Sequence, residues 1–214
     1  AIDLDGLGAL TLSDVDTADG TITVTSAGAL TVTDVATGNN NAIALTTSSG
    51  DITGLATVNA GSGAVTLNAA GAIVDDSDAS TVVTGGLLTA DAAGAITIDS
   101  TVTSADISTS AAGAIALDET DGITLTDLDT TDGSITVSAG GALTATDVVA
   151  GGGTGDSVTL STTTGGAVAT LVTGADAVSI TADAGDITIG AVTATAGTLG
   201  VTATTGSIND AADD

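Results

Sequence analysis

The sequence predicts an all-β chain wound as a parallel β-helix, a β-solenoid of about ten coils with about 21 residues and three strand positions in each. Three observations carry this. A phrase Gly-x-Ile/Leu/Val-x-Ile/Leu/Val returns through all 214 residues; apolar and small polar residues alternate within it; and the aliphatic positions recur at near-constant spacing. Self-similarity at a short fixed period marks an array in which each unit buries its apolar face against its neighbours.

The phrase reads GALTL at Gly8–Leu12, GTITV at Gly20–Val24, GALTV at Gly28–Val32, GAVTL at Gly63–Leu67 and GAITI at Gly94–Ile98. It continues as GAIAL at Gly113–Leu117, GSITV at Gly133–Val137, GDITI at Gly185–Ile189 and GSIND at Gly206–Asp210. Period-2 alternation rich in β-branched residues indicates short, half-buried strands. The leading glycine permits a positive φ or a close backbone approach at a corner. No window keeps a 3.6-residue period, and Gly, Thr and Asp are weak helix formers.

One ladder of inward residues runs Leu10, Leu30, Ile52, Ile73, Ile96, Ile123, Leu143, Val168, Ile187 and Ile208, with gaps of 19 to 27 residues. A second runs Ile2, Ile22, Ile43, Val65, Leu87, Ile115, Ile135, Val158, Val178 and Leu199. A weaker third comprises Val15, Val35, Val58, Val82, Val102, Leu128, Val148, Val172 and Val192. Each coil offers about five large aliphatic side chains at roughly 1.5–3 kcal/mol apiece when fully buried. That is modest for one coil, so stability must come from stacking.

A longer duplication overlies the coil. Leu4–Val35 matches Leu117–Val148 at a constant offset of 113, which divides the chain into copies 2–114 and 115–214, the second incomplete. The offset reads as five coils, the last lengthened by an insertion around Ser104–Ser110. No Pro or spacer interrupts the ladders, so residues 1–214 read as one continuous solenoid. Tandem immunoglobulin-like sandwiches would need more varied strand spacing and commonly carry an aromatic core.

Composition narrows the partners. The chain has no Lys, Arg, His, Cys, Met, Pro or aromatic residue, and its formal net charge is −27. All 27 acidic groups are Asp except Glu119. Nucleic acid and anionic membranes are recognised mainly through Lys and Arg, so neither is an expected partner. No apolar run approaches a membrane span of about 20 residues, and the sequence shows no basic n-region, no signal peptide and no initiator Met at Ala1. Uncompensated like charge works against the compact state, which makes salt or bound cations stabilising.

With its G-x-I-T-V/L phrases separated by Ala, Gly, Thr and Asp, the chain resembles the haemagglutination-type β-helical repeats of large secreted bacterial adhesins, both filamentous haemagglutinin-like and autotransporter-like. The resemblance spans essentially the whole chain. It implies a right-handed helix, an extracellular or cell-surface location, and a structural stalk or fibre that carries its ligand-binding regions elsewhere. Expected partners are a second copy stacked end to end, or continuation within a longer chain.

Catalysis is not expected: His, Lys, Cys and Tyr are absent as bases or nucleophiles, and no Arg or Lys can hold an oxyanion. The adjacent Asp75 and Asp76 read as solvated turn residues. No cofactor is required, and calcium is the candidate ion. Asp14, Asp16 and Asp19 fall in SDVDTADG, and Asp127, Asp129 and Asp132 in its duplicate TDLDTTDG. Asp34 should stack near Asp14, and Asp147 near Asp127, one coil later. Calcium takes six to eight oxygens, which carboxylates and turn carbonyls supply. The competing reading is that these Asp residues close turns through their own backbone. Outward threonines (Thr11, Thr31, Thr53, Thr97, Thr124, Thr144 and Thr188, then Thr23, Thr66, Thr136 and Thr159) suggest an ice-binding face as an alternative, with Leu88, Ala116 and Ala169 as interruptions. Simple β-propensity explains them equally well.

Overall fold

A computed structural model describes residues 1–80 and 82–211. Among them are 23 strands and no helix, and every strand belongs to one sheet in which all pairings are parallel. The chain is a right-handed parallel β-helix of about ten coils, each strand pairing with equivalents one coil above and below. Such neighbours lie about 4.8 Å apart. Right-handed winding is the expected sense for parallel crossovers built from right-twisted strands.

Three faces enclose the core. On the Leu10 face the inward column is Leu10, Leu30, Ile52, Ile73, Ile96, Ile115, Ile135, Val158, Val178 and Leu199. On the Ile2 face, Leu4, Val24, Leu45, Leu67, Ala90, Ile107, Leu128, Val148, Val172 and Val192 stack in register. The Val15 column carries Val15, Val35, Val58 and Val83 and continues through Ser100 and Glu119 to Ala139, while Ile123, Leu143, Ala167, Ile187 and Ile208 form a separate column in the second half. Between the end coils these side chains are almost wholly buried.

The three columns correct the expected ladders. Ile96 pairs with Ile115 rather than Ile123, and the column expected to run from Leu87 to Ile115 crosses faces. Five coils carry the chain from Leu10 to Ile115, which is 105 residues and not 113. The remaining eight residues are the distance from one face to the next. The second copy is therefore turned about the axis by one face, a third of a revolution, relative to the first. Ser104–Ser110 do not bulge from a lengthened coil. They belong to the 17-residue strand Ile96–Ala112 and place Ala105, Ile107 and Thr109 inside.

Three expected inward positions are off by one residue. Val83 rather than Val82 is buried, Leu88 (0% exposed) rather than Leu87 (40%), and Ala167 rather than Val168 (39%). At each, two apolar residues adjoin, and a one-residue slip inverts every side chain of a strand. Ala169 likewise points inward and interrupts nothing outside.

Corners are closed locally. A buried Ser or Thr ends many strands and bonds a carbonyl of the turn that follows: Thr47 Oγ1 donates to Gly50 O at 2.9 Å, Thr37 Oγ1 to Asn41 O at 2.7 Å and Thr109 Oγ1 to Gly113 O at 3.1 Å. These bonds satisfy carbonyls that the ladder leaves free as the chain turns. Two corner glycines are required. Gly185 has φ 92°, and a Cβ there would lie 2.7 Å from the Gly166 nitrogen one coil below; at Gly113 it would lie 2.5 Å from the Ala95 nitrogen. Of the large exposed apolar residues, Leu4, Leu7, Leu199 and Ile208 lie on the first and last coils.

Candidate functional site

The calcium candidates sit where the chain turns between faces. Val15 pairs with Val35, which sets Asp34 one coil above Asp14 at the corner between the Leu10 and Val15 faces. Burial pushes the Asp34 carboxyl up from its ordinary range, and the neighbouring charges of Asp16 and Asp14 push it further. The column ends one coil on, where Asp34 pairs with Thr57. Asp19 stands in the following turn and accepts a hydrogen bond from Asn41 Nδ2 at 3.2 Å.

The duplicate lies instead in the outward column of the Ile2 face, which runs through Thr66, Thr89 and Asp106 to Asp127. Here Asp106 pairs with Asp127, and the register between Leu125–Leu128 and Ala145–Val148 sets Asp147 above Asp127. Asp129 follows Asp127 two residues on along the same strand. Burial raises its affinity for a proton first, followed by the charges of Asp127 and Asp147 and, more weakly, of Asp106. Among the described residues, Asp147 Oδ1 is the one buried side-chain oxygen without a hydrogen-bond partner. Leu171 closes the column above Asp147, and Asp132 lies off it, paired with Ala112 at a strand end.

Asp14, Asp16 and Asp34 are thus brought together, as are Asp127, Asp129 and Asp147. Asp106 joins the second group without having been foreseen, since its stretch read as an insertion. A third acidic column holds Asp99 over Asp118, with burial, then Asp75 and Asp118, raising the Asp99 carboxyl. Among the described residues no three carboxylates converge as a ready-made metal cage.

The threonines form no unbroken array. On the Leu10 face Thr11, Thr31 and Thr53 are followed by Val74, Thr97, Ala116, Thr136 and Thr159, then Ser179 and Gly200. The rotation of the second copy has thereby merged two sets that the sequence placed on separate faces. Thr124, Thr144 and Thr188 stack above Leu87 and Ser104 with Val168 among them, and Ala44 separates Thr23 from Thr66 on the Ile2 face. Apolar or small residues break every column within three coils.

The sequence reading also left the sole glutamate without a position. Glu119 is 1% exposed and lies where the two copies meet. Ser100 Oγ donates to its Oε2 at 2.6 Å, as does the Val102 N–H at 3.0 Å, and the Asp121 N–H donates to Oε1 at 3.3 Å. Beside it runs a groove of about 310 Å³ whose lining includes Thr84, Thr101, Val102 and Asp121. The signal available in the sequence was uniqueness: one Glu among 26 Asp, one position into an otherwise apolar or hydroxyl-bearing column.

Compared with known proteins, the chain matches no family model, no curated protein and no solved structure.

Proposed function

We propose that this chain is a structural module of an extracellular bacterial fibre, filament or giant surface adhesin, acting as a stiff acidic rod. The observation that carries the reading is the set of three parallel ladders, running through about ten coils without a break for a helix or separate domain among the described residues. At about 4.8 Å per coil the rod is about 48 Å long. Its stiffness comes from backbone hydrogen bonds along the axis and from aliphatic columns inside. Its net charge of −27 repels like surfaces and keeps lateral association weak. With no Lys or Arg it offers trypsin-like proteases no cleavage site, which suits a protein outside the cell. With no His, Lys, Cys or Tyr to act as base or to activate its many Ser and Thr hydroxyls, the proposed role is mechanical rather than catalytic.

The end coils support end-to-end growth. Unpaired strand edges template pairing with another chain, and parallel strands make that contact head to tail, which builds filaments rather than closed rings. The occupant is a second copy or more of the same polypeptide. Small-angle scattering and electron microscopy of the isolated chain in high salt test both parts. A particle about 20 Å wide and about 48 Å long is expected, lengthening into threads on concentration. A particle of equal axes overturns the rod, whereas a rod that stays single removes only the stacking.

A second reading, cation binding, rests on the unpartnered Asp147 Oδ1 beside Asp127 and Asp129. Calcium binds oxygens at about 2.4 Å, so carboxylates on successive coils about 4.8 Å apart can share one ion. Thermal melting with calcium against chelator decides it: a midpoint that rises more with calcium than with magnesium at equal ionic strength supports a site, and equal midpoints discard it.

A further inference from the structure

The joint between the two copies is built around Glu119. Ser100 pairs with Glu119, and the next pair in register is Ser104 with Thr124. Three residues separate the pairs on the lower coil and four on the upper, so the backbone ladder loses step across Thr101–Thr103. The Glu119 carboxyl fills that gap and takes the N–H groups of Val102 and Asp121 together with the Ser100 hydroxyl. A buried N–H left without a partner is costly, so the joint depends on this one side chain. In the columns above and below, the same position holds Ser100 and Ala139.

Its surroundings are acidic on one side only. The Asp121 side chain lies within hydrogen-bonding reach. From the strand Ile96–Ala112 the facing groups are Ser100 and Val102, and from Ile135–Ala139 it is Ala139, none of them titratable. The chain contains no Lys, Arg or His that could offset a second negative charge. When Glu119 carries a proton, its O–H donates to the Asp121 carboxylate while its oxygens keep the three donors. When it ionises, the buried Glu119 carboxylate faces the exposed Asp121 carboxylate at the edge of the groove.

We propose that Glu119 is a proton-operated latch on the joint between the two copies: protonated it holds the joint closed, and ionised it loosens the joint while the coils on either side stay wound. Burial pushes its affinity for protons up to about pH 7, against the pull of its three hydrogen-bond donors. Because the folded value is raised above the unfolded one near 4.5, the latch is fully set below that unfolded value and is lost as pH rises through about 7. The inference concerns the joint alone and stands apart from the proposed rod.

Hydrogen exchange of the full chain, read by mass spectrometry at pH 5.5 and 8.5 and corrected for intrinsic rates, tests it. The amides of residues 100–104 and 119–124 should lose about thirtyfold in protection at the higher pH, with residues 22–26 and 178–182 losing far less. Glu119→Gln should abolish the difference, and Asp121→Asn should move its midpoint down by weakening the shared proton. Equal protection of the joint at both pH values overturns the proposal, as does a loss at residues 22–26 and 178–182 as large as that at the joint. If Glu119→Gln fails to fold, wild type and Asp121→Asn still decide: an unmoved midpoint overturns the latch.

Discussion

Replacing Leu88 and Leu87 separately by Ala tests the register on which all three columns rest. Leu88 is fully buried in a stack with Val65 below and Ala105 above, whereas Leu87 is 40% exposed. Removing a buried Leu side chain costs about 2–5 kcal/mol, the larger values arising where neighbours cannot close the cavity. Ala105 is already small and the coil above is held by its own ladder, so collapse is poor and a loss of about 3–5 kcal/mol follows. Leu87 keeps 40% of its surface in water, and its truncation should cost about 1 kcal/mol. Urea unfolding followed by circular dichroism measures both, with the slope reporting whether the array still melts as one unit. Equal losses, or a larger loss at Leu87, would refute the register and return the chain to the ladder in which Leu87 faces inward.

The rotation between the copies can be trapped covalently against a background free of cysteine. Thr97 and Ala116 are partners on successive coils, about 4.8 Å apart, within the 4.4–6.8 Å Cα range of disulfides. Thr97→Cys with Ala116→Cys should therefore oxidise readily and add about 3 kcal/mol by closing a loop of about 20 residues. Thr97→Cys with Thr124→Cys, the pair an unrotated duplication would bring together, should remain reduced; the opposite outcome in non-reducing electrophoresis would disprove the rotation. Acid should stabilise this protein. The carboxyls of Asp34, Asp99 and Asp129 are raised by burial and then by their neighbours, so their contribution is complete below the unfolded carboxylate range and is lost as pH rises through their folded values. The melting temperature should accordingly be higher at pH 4.5 than at pH 7.5, and added salt at pH 7.5 should raise it by screening the charge of −27. A lower melting temperature at pH 4.5 would contradict this.

Much of the fold was legible because each strand repeats one short pattern. Ile22-Thr23-Val24 and Ile187-Thr188-Ile189 declare their inward residues by alternation, and both appear as expected. Alternation fails where apolar residues adjoin, and Val82–Val83, Leu87–Leu88 and Ala167–Val168 were assigned to the wrong side for that reason. It fails again at Ser104–Ser110, where Ile107 is the one large inward residue and its inward neighbours are as small or polar as Ala105 and Thr109. The acidic groups were half legible: stacking one coil apart follows from spacing, which brought Asp34 to Asp14 and Asp147 to Asp127. Asp106 could not be placed, because its position depends on which face its strand occupies.

From the order of residues alone come the strands, their parallel stacking, the three inward positions per turn and the surplus of negative charge, since each follows from local alternation and counting. Only the folded coil decides how one turn meets the next across the duplication. That depends on how the backbone ladders pair, and they pair with the second copy a third of a turn out of step and one register step missing across Thr101–Thr103. The same geometry moves its acidic group to the outward column of the Ile2 face and leaves one glutamate, buried among three donors, to bridge the missing step.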